Sequence, residues 1–209
     1  MELEEVLRRR RMARRFSPDP IDPGRLERVL RAGLAAPSAG NTRGVDLLCL
    51  VDPVARRRFW QAASDASWRE GDPQAAGLLD APAIVLPLAD PAAYLARYAA
   101  PDKARARLAG RALEDWPVPY WLVDAAFAAM LVLLAATDVG LGALFFQVHG
   151  DEAALLAALG VPPGRRSIGA IALGEALGEA RPSRRAPARR RVHLDRWSAA
   201  PASPSLGSR

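Results

Sequence analysis

The chain has 209 residues, 50% hydrophobic and 25% charged, a balance ordinary for a soluble globular protein and enough to bury a full core without staples. A single cysteine, Cys49, excludes an internal disulfide, and with only His149 and His193 beside it a Cys/His zinc cluster is excluded too. The net charge of +6 suggests a polyanionic partner, yet the positive charge sits in residues 1–15 (six Arg, three Glu) and 181–196 (seven Arg, one Asp), with a mildly acidic body between.

In chain order, Leu3, Val6 and Leu7 form an apolar stripe that predicts a helix over 2–11. Asp22 followed by Pro23 is a helix start, and Leu26, Val29, Leu30 and Leu34 carry that helix to about Ala36, where Pro37 and Gly40 stop it. Residues 45–51 read as a buried strand and 53–64 as a helix packing Phe59 and Trp60, while 65–77 has no clear period. Residues 82–88 read as a strand that Pro87 places at an edge or a strand end. One or two helices around Pro101 are expected over 91–111, a candidate cover. The span 120–139 is apolar nearly all round, the pattern of a helix at the centre of a core or interface, and it closes on Gly140. Its longest uncharged run, 125–136, has 12 residues, short of the roughly 20 that cross a membrane. A strand at 143–148, a helix at 151–159 and a strand at 168–173 follow. Residues 180–197 read as an extended arm anchored by Trp197, and 198–209 as a disordered polar tail. These elements predict a single domain over 1–197 of α/β or α+β class. Acids precede bases at the N-terminus and no apolar segment follows, so a reduced, cytoplasmic protein is the expectation.

Three segments carry chemistry. The run RRRRMARRF at 8–16 offers arginines suited to bidentate phosphate contact, although such a run is also the solvated end of a basic helix. APSAGNTRG at 36–44 is a tight loop of small residues that lets a flat ligand approach the main chain, or else a plain turn. GLGALFFQVHG at 140–150 joins the long apolar helix to a strand. The chain has no GxGxxG, GxxxxGK or GxSxG pattern. Asp124 and Asp138 stand fourteen residues apart, too far for an acid/base couple on one helix, and a structural role is favoured for His149 and His193.

The basic run ending in Phe16, the APSAGN loop entering a strand, the long helix closing on GLG and the Arg/Pro arm, in that order and spacing, resemble the nitroreductase family. The resemblance implies an α+β fold with a central, mainly antiparallel sheet flanked by helices, an intertwined homodimer with a C-terminal arm, and one FMN per interface site, reduced by NADH or NADPH. It implies that Arg10, Arg11 and Arg14, with the backbone at Met12 where relatives often carry Ser, hold the FMN phosphate, ribityl chain and N1–C2=O edge. It further implies that Pro37, Ser38, Ala39 and Asn41 lie along the isoalloxazine from the other subunit, and that Arg184 and Arg185, the latter matching better, close on the phosphate. Phe145, Phe146 and Gln147 match the segment beside flavin N5, with core packing the alternative for the two Phe. Arg43, Gly44 and Val45 stand where the family commonly has Gln-Pro-Trp, so Arg43, with Trp116 and Tyr120, marks the substrate side. No side chain is implied as catalytic, because flavin N5 does the chemistry; the acceptors implied are nitroaromatics, quinones and similar flat electrophiles. The rival readings are a peptide- or ring-oxidising or deazaflavin-using member, a non-catalytic flavin-binding protein, and a nucleic-acid-binding module, against which the acidic body counts.

Overall fold

The computed structural model describes residues 1–148, 150–178, 193, 196 and 197, in two units that divide after Gly178. The first unit runs α1 (Leu3–Arg9), α2 (Pro23–Leu34), β1 (Val45–Leu50), α3 (Pro53–Ala63), α4 (Ala66–Gly71), α5 (Pro73–Leu79), β2 (Ala83–Ala89), α6 (Pro91–Tyr98), α7 (Tyr120–Asp138), β3 (Gly142–Phe146), α8 (Glu152–Ala158), β4 (Arg166–Ser167) and β5 (Ala170–Gly174). Aspartates set five of the helix starts: the side chains of Asp22, Asp52, Asp65, Asp90 and Asp151 accept first-turn N–H groups of α2, α3, α4, α6 and α8. Proline follows the cap in α2, α3 and α6, where its missing N–H costs nothing. Helix α7 stops at Gly140, whose φ of 78° is the left-handed geometry that ends a helix. In the second unit the rings of His193 and Trp197 stack with centroids 4.1 Å apart.

The strands pair antiparallel in the order β1-β2-β5-β3, with β4 continuing beside β2 where β5 leaves off. Alternation then sorts side chains to two faces. Ile84, Leu86 and Leu88 of β2, Leu144 of β3, and Ala170 and Ala172 of β5 join Phe59, Trp60, Leu155 and Leu156 of α3 and α8 in one core. Val85 of β2, Ala143 of β3, and Ile171 and Leu173 of β5 meet Val29 of α2 and Val132, Leu133 and Ala136 of α7 on the other face. The result is a helix–sheet–helix sandwich of α+β class, as expected for the resemblance.

Two strand expectations are corrected. Strand β1 is an edge strand with only Leu50 buried, and β2, expected from Pro87 to be an edge strand or to end there, is central, buried throughout and runs two residues past the proline. The proline is tolerated because the neighbouring ladder is broken there. Between the pairs Val85↔Ile171 and Leu88↔Ser167, two residues of β2 face three, 168–170, which is a bulge. The aperiodic stretch 65–77 is also structured: it forms α4 and most of α5.

Helix α7 packs on α2 and on the sheet, and Asp124 interrupts its apolar surface without meeting solvent. With that charge buried, the 19-residue helix is long and apolar enough by composition to cross a membrane, more than the 12-residue run suggests; its apolarity is used against the sheet. The face turned away leaves Phe127 and Met130 about half exposed.

Candidate active site

The arginine run divides by position. Arg8 and Arg9 fall one turn after Glu5 and both pair with it, so their charges hold the Glu5 carboxyl below its usual range. Arg11 folds back onto the end of α1, donating to the carbonyls of Arg8 and Arg10 at 2.7 and 2.9 Å. Arg14 is exposed, with one guanidinium nitrogen 3.5 Å from the Met12 carbonyl. Arg10 differs from all of these, since its Nη1 is shielded from solvent and has no hydrogen-bond partner among the described residues. A buried donor left open is costly unless a ligand completes it.

The same segment is locked to the sheet. Met12 bridges to Ala143 of β3 in parallel, and the Ala13 N–H donates to the Ala143 carbonyl at 2.9 Å. Phe16, fully buried, bridges to Ala176. Gly142 permits this close approach, because a Cβ there would lie 2.9 Å from that of Ala13 and 2.8 Å from that of Ala176.

The APSAGN loop is strained and pinned. Gly40, Asn41 and Arg43 all have φ near +55° to +64°, a region that costs a non-glycine residue energy. Four contacts hold it there. The Ala39 N–H donates to Asp124 Oδ2 at 2.8 Å, and the Arg43 N–H to Ser38 Oγ at 2.9 Å. Thr42 Oγ1 donates to the Ala39 carbonyl at 2.5 Å, and Arg97 Nε to the Gly40 carbonyl at 2.8 Å. Arg97 is itself fixed by a bidentate pair with Asp102, whose carboxyl the guanidinium pulls down to about 2. Between the last turn of α2, this loop and α7 lies a cleft of about 590 Å³, lined by Pro37, Ser38, Asn41, Arg43, Asp124 and Ala128 among others.

Asp124 is the feature missed from sequence. It is 2% exposed and accepts a second bond on Oδ2, from the Tyr94 hydroxyl at 2.6 Å. Burial, and then the carboxylate itself, push the Tyr94 phenol far above its ordinary value, so it stays a donor. Tyr94 reaches Asp124 past Gly44, where a Cβ would sit 2.6 Å from its ring. An aspartate inside the apolar stretch YWLVDAAFAAM, and a glycine after Arg43, were the available signals.

The other expected residues are placed as follows. Phe146 stacks on Trp60 with centroids 5.5 Å apart, and Phe145 packs against the opposite core; Gln147 is exposed. Trp116 is buried among Tyr98, Tyr120 and Trp121, and Tyr120 is half-buried, stacked on Tyr98. Arg184, Arg185, Arg189, Arg190, Arg191 and His149 lie outside the described residues. The arginine segment lies at the β3 edge of the sheet and the pinned loop enters β1 at the other. They are separated by four strand spacings, about 19 Å.

A model of the nitroreductase family matches residues 7–175, which include the arginine segment, the loop and β3. An NADH dehydrogenase of Thermus thermophilus is 30% identical over 189 residues, 88% of this chain and 91% of the relative. Two solved structures share the fold. A nitroreductase family protein from Streptococcus pneumoniae superposes with a TM-score of 0.68 at 19% identity, covering 89% of this chain and 96% of the other. A nitroreductase with bound FMN from Bacteroides fragilis gives 0.65 at 20% identity, covering 92% and 98%.

Proposed function

The chain belongs to the nitroreductase family, and from that premise we propose that it is an FMN-dependent oxidoreductase that draws electrons from NADH or NADPH and passes them to nitroaromatics, quinones or similar flat electrophiles. The observation that carries this reading is Arg10: a guanidinium nitrogen shielded from solvent, without a hydrogen-bond partner among the described residues and two residues before the Met12–Ala143 bridge, suits an anion such as the FMN phosphate. When bound, FMN supplies the hydride chemistry, and the protein supplies binding, orientation and charge. Arg10 holds the phosphate, and Arg14, exposed on the same segment, is free to favour negative charge at the flavin's N1–C2=O edge. The Pro37–Asn41 loop, held by Asp124 and Arg97, presents main chain to one ring face. Donor and acceptor use the same site in turn, in ping-pong order.

A homodimer completes the site in this reading. Arginine segment and loop occupy opposite sheet edges, so one ligand touched by both takes each from a different chain. Leu3 and Leu7 of α1, Leu34 of α2, and Phe127 and Met130 of α7 are apolar and exposed, which suits an interface between copies. The test is the absorbance spectrum of the purified protein, followed by anaerobic titration with NADPH and NADH. A yellow protein bleached by either supports the reading, and Arg10→Ala weakens FMN binding by roughly tenfold or more. A colourless protein that takes up no added FMN refutes it.

A further inference from the structure

Asp124 has capacity that the protein does not use. Both internal donors, the Ala39 N–H and the Tyr94 O–H, go to Oδ2, at 2.8 and 2.6 Å. Oδ1 accepts no hydrogen bond from any described residue, although a carboxylate can accept about four in all. The polar neighbours in the cleft are turned elsewhere: Ser38 Oγ is taken by the Arg43 N–H at 2.9 Å, and Asn41 Oδ1 by Arg43 Nε at 3.3 Å. Arg97, which reaches the loop turn, is committed to Asp102 and the Gly40 carbonyl. Among the described residues Asp124 has no ion pair, yet it is 98% buried and lines the cleft. A buried carboxylate in that state is costly, and the cost is offset when a ligand donor reaches the open oxygen.

We propose that Asp124 is a ligand-binding residue whose Oδ1 accepts an N–H lying next to a carbonyl on a flat ring. Two ligands of the enzyme carry that group, the imide of the flavin and the carboxamide of the nicotinamide donor. The amide nitrogen of Asn41 and the terminal nitrogens of Arg43, exposed on the same cleft, are donors for the adjacent carbonyl. Strain in the loop thus has a use: it aims these donors, and the Ala39 N–H–Asp124 bond ties their position to the acceptor. The assignment rests on the proposed function, because it needs a flat ligand in this cleft.

Asp124→Asn tests it. The amide oxygen keeps an acceptor for Ala39 and Tyr94 while the cleft-facing oxygen becomes an NH2 donor, so loop anchoring survives and ligand acceptance does not. Wild-type protein that binds no FMN overturns the function itself, and the remaining outcomes bear on Asp124 alone. The variant is expected to melt close to wild type. Weakening of FMN binding by roughly tenfold or more assigns the contact to the imide. Unchanged FMN affinity, with KM for the reduced nicotinamide raised by roughly tenfold and kcat little altered, assigns it to the carboxamide. Wild-type protein supplies an arm independent of the variant's folding: N3-methyl-FMN, or the reduced 3-acetylpyridine dinucleotide, lacks the N–H and should bind worse by a similar factor. Equal binding of parent and analogue by wild type, or wild-type affinities in Asp124→Asn, overturns the proposal.

Discussion

Removing the Tyr94 hydroxyl isolates the bond that holds the floor of the cleft. In Tyr94→Phe the ring keeps its place against Gly44 and edge-on to Trp121, and no cavity larger than one oxygen is made. What is lost is one hydrogen bond to a carboxylate that is 2% exposed, leaving Oδ2 with the Ala39 N–H alone. Hydrogen bonds to charged groups contribute about 1.5–3 kcal/mol. For a chain of this size that is a fall of roughly 3–12 °C in melting temperature. Urea unfolding of wild type, Tyr94→Phe, Asp124→Ala and the double variant measures both the loss and the coupling. The pH dependence has a definite sign. The phenol is raised above its unfolded value of about 10, so its contribution is complete below that pH and is lost only as pH climbs toward the folded value. The advantage of wild type should therefore be flat between about pH 6 and 9 and shrink above about pH 10. A loss under about 0.5 kcal/mol, or an equal loss when Asp124 is already alanine, refutes the coupling.

Two further outcomes follow from the same geometry. Gly142→Ala forces a methyl to within 2.9 Å of Ala13 Cβ, and overpacking of this kind costs about 1–3 kcal/mol; denaturant unfolding should show that loss, with weaker FMN binding because Ala13 lies between Arg10 and Arg14. Asp102, held near 2 by Arg97, keeps its half of the clamp until pH falls through that value; a carboxyl 13C titration should place its midpoint near 2 in wild type and near the ordinary 3.9 in Arg97→Ala, and equal midpoints would count against the clamp.

Features set by neighbours in sequence were legible, and those set by partners far away were not. The start of α2 follows from Asp22 and Pro23, and the end of α7 from Gly140, because capping is decided within one turn. The depth of β1 and β2 depends on which strands flank them, and Pro87 misled because the bulge that accommodates it comes some eighty residues later, at 168–170. Six arginines in residues 8–15 stood out at once. That Glu5 engages two of them was readable from i,i+3 and i,i+4 spacing, whereas the open nitrogen of Arg10 depends on the packing around it. Spacing along α7 relates Asp124 only to Asp138, on the same helix. The actual partners of Asp124 are 30 and 85 residues away, on α6 and in the loop. Aromatic content alone did not tell wall from core, and Phe146 and Trp116 sit in packed clusters.

The strand of chain that carries Arg10 to Arg14 also occupies the outer edge of β3 at Ala143. An uncovered edge is a template for pairing with other chains. The segment that carries these arginines therefore also shields a strand edge, so a variant that frees it uncovers that strand. Changes at the exposed side chains of Asn41 and Arg43, on the opposite side of the sheet, leave that edge covered.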